Sequence, residues 1–347
     1  MNAIPNFFSA GNAADFNYAP DFGKLLAAAT ALAKSSNFTS IKDARKKVAF
    51  LGIDLQKDFC FPKGTLYVGG RSGTGAIDDN VRIAEFLYKN VGLITHTVLT
   101  MDTHFPFQIF FSTFWNDADG NPVPPFTEIS VDDIASGKYV VSPVAAAACA
   151  GGNYTWARNQ AKFYAEELKK AGKYTLYLWP FHCLAGSAGY ALAGVIDEAT
   201  AFHALVRGDQ REIAFKGQNA WTECYSVFGA EVLTRWDGKA LDQKNTRLIE
   251  TLLNNDYVVV AGQAASHCVM SSVDDLLTDI LAKDPSLAEK VYVLTDCMSA
   301  VTVPNGQGGF IADFTPNAEA AFQRYEAAGM KLVKSTDDMR NWKGIDL

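Results

Sequence analysis

The residues of this sequence that could do chemistry stand at the ends of apolar runs. Asp54 closes Val-Ala-Phe-Leu-Gly-Ile, and Cys268 follows Val-Val-Val-Ala-Gly-Gln-Ala-Ala-Ser-His, where a buried strand passes through glycine and small residues into a helix. A thiol at a helix start meets the positive end of the dipole, which favours the thiolate and hence nucleophilicity. Lys216, in Ile-Ala-Phe-Lys-Gly, is the kind of cation that holds an aspartate ionised and lowers a thiol pKa. Asp102 and His104 are separated by one residue and offer an oxygen and a nitrogen to a divalent metal; His182, in Trp-Pro-Phe-His-Cys, can complete that site. Each also has a plainer reading: a turn aspartate, an inert core cysteine, a solvated lysine, a hydrogen-bonded core histidine.

The elements that must position these residues are legible as periodic segments. Apolar runs at Val48 to Leu55, Leu93 to Thr100, Tyr174 to Leu178, Ile213 to Phe215, Tyr257 to Ala261 and Val291 to Leu294 read as buried strands. Helical segments lie at Ala76 to Lys89, Tyr154 to Ala171 with Gly172 as C-cap, Tyr190 to Ala204, Lys244 to Asn254, Val269 to Leu281 and Asn317 to Ala328. This alternation predicts a three-layer α/β/α architecture on a mainly parallel sheet, whose ligand crevice lies beyond the carboxyl ends of the strands. Residues 1–45, with one helix at Phe22 to Lys34, are read as an extension wrapped on an α/β domain of residues 46–347. Residues 105–152, which hold much of the proline and the small-residue run Val144 to Ala150, are read as a long insertion in that domain, placed beside the crevice as a lid or an oligomer contact.

Composition excludes several classes of function. With 48% hydrophobic and 20% charged residues the chain has ample core and no sign of disorder. A formal net charge of -7 offers no broad basic surface, so neither nucleic acid nor anionic membrane is an expected partner. Six cysteines without a CxxC pair fit a reducing cytoplasm. The first residues lack a signal peptide's basic and apolar regions, and no run approaches the length of a membrane span.

Taken together, Asp54 with Asp58-Phe59, Asp102-Thr-His104, Trp179-Pro-Phe-His182-Cys, Lys216-Gly, Tyr225-Ser and Gly262-Gln-Ala-Ala-Ser-His267-Cys268-Val occur in an order that resembles the nicotinamidase and isochorismatase-like cysteine hydrolases. The resemblance covers roughly residues 46 to 335. It implies an isochorismatase-like, Rossmann-like fold and a triad of Cys268 as nucleophile, Asp54 as base and Lys216 as supporting cation. It further implies a cis peptide joining Gln263 to Ala264, with the N–H groups of Ala264 and Cys268 aimed at an oxyanion. Phe59, Trp179, Tyr225 and His267 would contact the substrate. Asp102, His104 and His182 would hold a divalent ion, zinc in the first instance, or iron or manganese. The implied reaction converts a small nicotinamide-like carboxamide to acid and ammonia through a Cys268 thioester, in a cytoplasmic homo-oligomer. The sequence departs from the family at Thr103 and Gln108, where tryptophan and a further histidine are common, and at Ala264-Ala265-Ser266, where Ala-Thr-Asp is common. It resembles a longer subgroup.

Two alternatives stay open on the sequence. A ureido- or carbamoyl-amide hydrolase would use the same nucleophile on a different small amide. A catalytically silent ligand-binding protein would keep the fold alone, against which the intact Asp54, Lys216 and Cys268 argue. Isochorismatase chemistry on a vinyl ether does not require the cysteine.

Overall fold

The structure, a computed structural model, describes residues 2–172 and 174–347. The chain divides into two compact units: residues 1–101, 191–214 and 246–347 form the first, and residues 102–190 and 215–245 the second.

The fold is α/β, built on a mainly parallel six-stranded sheet. Its strands are β1 (Val48–Ile53), β2 (His96–Asp102), β3 (Glu212–Lys216), β4 (Tyr257–Gly262), β5 (Val291–Leu294) and β6 (Lys331–Val333), in the spatial order β6-β5-β4-β1-β2-β3. The boundary between the units falls within β2, after Met101, and within β3, after Ala214. Every residue of β1, β4 and β5 is buried, as expected of central parallel strands rich in valine, isoleucine and leucine. Strand β1 pairs in parallel with β2 on one side and β4 on the other, and the register sets Ile53 opposite Gly262. Asp54 and Gln263 therefore leave neighbouring strands at the same end.

In the first unit, helices α1 (Phe22–Ser35), α2 (Gly75–Lys89) and α3 (Gly194–Arg207) pack together, with α3 touching both others. Helix α4 (Cys268–Lys283) packs against the Thr315–Ala327 helix. The N-terminal aromatics are docked: Phe7 lies edge-on to Tyr88 and Phe202, with centroids 5.9 and 5.4 Å away, and Phe16 lies 5.5 Å from Phe61. Tyr18 donates its hydroxyl to Glu198, which also accepts from Tyr88 at 2.9 Å. Phe22, on α1, is 52% exposed.

The second unit has its own core, in which Phe110, Phe111, Phe114 and Trp115 pack with Tyr164, Leu176 and Leu178. Its long helix Tyr154–Ala171 ends on left-handed Gly172, as its sequence predicts, and starts on an Asn153 side chain that accepts from Trp156 N. The small-residue run is part of a helix, Pro143–Ala150, capped by Ser142. One expected strand is corrected. Tyr174 to Leu178 does not join the large sheet; only Leu176–Tyr177 is a strand, antiparallel to Glu128–Ile129. Leu176 and Leu178 are buried while Tyr177 between them is half-buried, the alternation of a strand with one covered face. His182 therefore follows this short ribbon and not a strand of the main sheet. Among the described residues all six cysteines are free, and no helix is long and apolar enough to cross a membrane.

Candidate active site

In the first unit Asp54 is fully buried and has a φ of 47°. Its backbone N–H donates to Thr100 Oγ1 at 2.9 Å, and the same hydroxyl donates to Asp54 Oδ1 at 2.5 Å. The hydroxyl's orientation is thereby fixed, because its lone pair takes the N–H and its proton is left for the carboxylate. Thr100 carries no sequence signal, since its role depends on the alignment of β2 beside β1.

Cys268 is 8% exposed and is the first residue of the 16-residue helix α4. The loop before it is closely held. Gln263 N donates to Ile53 O at 2.8 Å, and both His267 N and Val269 N donate to Ala264 O, at 3.0 and 3.1 Å. The Gln263–Ala264 peptide is cis. Gly262 precedes it with φ 128°, and a Cβ there would stand 2.1 Å from Ile53 O, so only glycine lets β4 run this close to β1.

The second unit brings Asp102, His104 and His182 together. All three are buried, and one donor atom from each lies within 4.8 Å of the others. His104 Nδ1 donates to Gly217 O at 3.1 Å and His182 Nδ1 to Pro180 O at 2.8 Å. A carbonyl only accepts, so both protons sit on Nδ1 and both Nε2 atoms face Asp102 Oδ2, at 2.8 and 3.7 Å. Burial pushes the His182 imidazole below its ordinary value, against the opposite pull of the Asp102 carboxylate beside it, which favours the neutral, ligating form. Burial also pushes Asp102 upward, but the positive field of His104 and Lys216 beside it holds its carboxyl well below the usual carboxylate range. Two imidazole nitrogens aimed at one ionised carboxylate in a buried setting are a donor set that fits a divalent ion of the zinc, iron or manganese kind.

Lys216 lies in the same unit, with Nζ 3.0 Å from Asp102 Oδ1 and donating to Cys224 O at 2.9 Å. Gln108, at the position where the sequence resemblance raises the expectation of a histidine, is engaged by hydrogen bonds at both ends of its amide. Its Nε2 donates to Gly217 O at 2.6 Å, the carbonyl that also takes His104 Nδ1–H, so it steadies the imidazole's anchor. Gly217 has φ 79°, and a Cβ there would stand 2.6 Å from both Asp102 Oδ1 and His104 Cε1.

The residues assigned to substrate contact divide between the units. Phe59 is 8% exposed in the Lys57–Cys60 turn of the first unit. There, too, His267 accepts or donates at 2.9 Å with Ser266 and lies 5.0 Å from the Phe314 ring; burial lowers it to about 4. In the second unit Trp179 Nε1 donates to Glu223 Oε1 and to Tyr225 Oη, each at 3.0 Å, and Tyr225 donates to Glu223 at 2.7 Å. Burial raises Glu223 to about 7. Glu223 escaped the sequence reading because a glutamate two residues before a tyrosine has no signature of its own.

No protein-family model matches the sequence. No curated protein matches it either. Solved structures do. An Acinetobacter baumanii nicotinamidase/pyrazinamidase is 20% identical, with 85% of this chain and 99% of that chain covered and a TM-score of 0.47. The yeast nicotinamidase bound to the inhibitor nicotinaldehyde is 19% identical over 83% and 99%, with a TM-score of 0.49. The pyrazinamidase of Pyrococcus horikoshii in complex with zinc is 17% identical over 83% and 98%, with a TM-score of 0.42. In fold, the chain is similar to nicotinamidases.

Proposed function

We propose that the protein is a cysteine amidohydrolase that cleaves a small carboxamide to its acid and ammonia. The observation that carries this reading lies within the first unit. The register of β1 on β4 brings a buried aspartate and a helix-initiating cysteine to the same end of adjacent parallel strands. That pairing of a proton acceptor with a thiol poised to ionise is what nucleophilic catalysis needs.

In this reading the Cys268 proton passes to Asp54 as sulfur attacks the amide carbon, giving a tetrahedral oxyanion. Asp54 returns the proton to the leaving nitrogen, the C–N bond breaks, and ammonia departs from a Cys268 thioester. Water then adds, assisted by Asp54, and the C–S bond breaks to give the acid and the free thiol. Lys216 enters on the sequence resemblance, as a cation that keeps a carboxylate ionised. A divalent ion held by Asp102, His104 and His182 would supply a Lewis acid able to orient a polar substrate atom or bound water. The substrate class follows from a thiol nucleophile suited to acyl transfer, nicotinamide being the first amide to try.

The test is ammonia release from a panel of nicotinamide, pyrazinamide, benzamide and ureido compounds, with and without chelator. Turnover of a carboxamide by the wild-type chain and none by Cys268→Ala is the expected result. Equal turnover by that variant would remove the reading.

A further inference from the structure

Among the buried carboxylates of the first unit that the mechanism above leaves without a task, one is turned toward the cysteine loop. Asp79, on α2, is 1% exposed, and its side chain is turned toward the segment that leads into Cys268. Oδ2 accepts from Gln263 Nε2 at 2.9 Å and from Ser299 Oγ at 2.7 Å, while Oδ1 accepts from Arg82 Nη2 at 2.7 Å. The Gln263 amide is held from its other side as well, its Oε1 accepting from Ser299 N at 3.3 Å. An ionised carboxylate only accepts and a backbone N–H only donates, so this pair of partners fixes which way the amide points.

The same loop is fastened at two further places by the segment after β5. Ala265 N donates to Ser299 O at 2.8 Å, and Val301 N donates to Ser266 Oγ at 3.0 Å. Asp79 thus grips both strands of a clamp: Gln263 at the entrance of the cysteine loop, and Ser299 on the segment that braces Ala265. Gly75, one turn earlier on α2, allows that approach, since a Cβ there would meet Ser299 Oγ at 2.5 Å.

We infer that Asp79 is a positioning residue for the cysteine nucleophile, holding the 263–268 loop through Gln263 and Ser299; this rests on the amidohydrolase reading of Cys268. It touches no reacting atom. Its effect is to keep the loop in one arrangement while sulfur changes from thiol to thioester and back, which matters because small displacements of reacting groups slow chemistry steeply.

The test uses the full chain and the amide it turns over best in the panel. Asp79→Asn puts an N–H2 group in place of one carboxylate oxygen, against the Gln263 and Ser299 donors or against Arg82, and it should lower kcat by about tenfold or more, with KM within about twofold, because ground-state binding is untouched. Gln263→Glu alone sets two carboxylates face to face and should be at least as damaging. The double variant Asp79→Asn/Gln263→Glu exchanges donor and acceptor while keeping one buried charge, so it should regain most of the lost kcat. The alkylation rate of Cys268 by iodoacetamide at neutral pH should follow the same order, and it reads the loop even if no amide in the panel is turned over. Wild-type kcat and alkylation in Asp79→Asn would overturn the inference, and so would a double variant no better than the single ones, which would mark Asp79 as a brace for folding only. Activity surviving in Cys268→Ala would instead reject the nucleophile assignment, a separate outcome.

Discussion

The Thr100 hydroxyl stands between two atoms of Asp54, accepting from its backbone N–H and donating to its carboxylate. Thr100→Val keeps the shape and removes both bonds, leaving a buried carboxylate short of a donor. A loss of about 1–3 kcal/mol is expected for such a change, felt as a fall in kcat/KM of about tenfold to a hundredfold. Thr100→Ser should retain most of the rate. Ammonia-release kinetics on the three proteins decide it, and an unimpaired valine variant would show that Asp54 needs no such orientation.

Cys268→Ala should abolish amide hydrolysis with the fold intact, since no neighbouring group supplies the attacking electron pair. Asp54→Asn should be nearly as damaging, because the amide cannot take the thiol proton. Both are checked by steady-state rates beside far-ultraviolet circular dichroism, and a normal rate in Asp54→Asn would reassign the base.

The three-residue donor set should bind about one equivalent of zinc, measured by competition with a chromophoric chelator. Gly217→Ala drives a methyl group into Asp102 and His104 and should weaken binding by about tenfold to a hundredfold, the range seen when the surroundings of metal ligands are disturbed. Unchanged zinc affinity in this variant would mean that Asp102 and His104 do not act together.

Acid stability carries a separate signature. His203 is fully buried, with Nε2 donating to Ile94 O at 3.0 Å, and burial lowers it to about 4. An unfolded histidine titrates near about 6.5, so below that pH the unfolded chain binds a proton that the folded chain refuses. Stability is full above about pH 6.5 and is lost as pH falls toward about 4, by as much as about 3 kcal/mol from this residue. His203→Gln retains a donor toward Ile94 and should flatten that part of the curve. Urea unfolding at pH 7 and 4.5 gives the comparison; equal losses in both proteins would assign the acid limb elsewhere.

What the sequence discloses follows from how locally each feature is encoded. Strands β1, β4 and β5 are readable because burial on both faces requires unbroken apolar runs, and the end of the Tyr154–Ala171 helix because its terminating glycine directly follows it in sequence. Strand β6 went unread: at the sheet edge, Lys-Leu-Val is half-buried and short. Tyr174 to Leu178 was misplaced because a five-residue apolar stretch does not say whether one face or two will be covered. Residues 105–152 were read as an insertion; they share a core with residues 153–190 and 215–245, a grouping that depends on contacts between distant segments. At the site, Asp102, His104 and His182 could be singled out by residue type. Thr100, Asp79, Gly217 and Glu223 could not, since each acts on a partner that only register or tertiary packing brings near.

The docking of the N-terminal aromatics also has a consequence for synthesis. Phe7, Phe8 and Tyr18 leave the ribosome well before their partners Tyr88, Glu198 and Phe202. At about 5–20 residues per second, roughly 10–40 s separate Phe8 from Phe202. For that interval an aromatic-rich segment is in the cell with part of its binding surface still unmade, which exposes it to unwanted association until the α3 segment is synthesised.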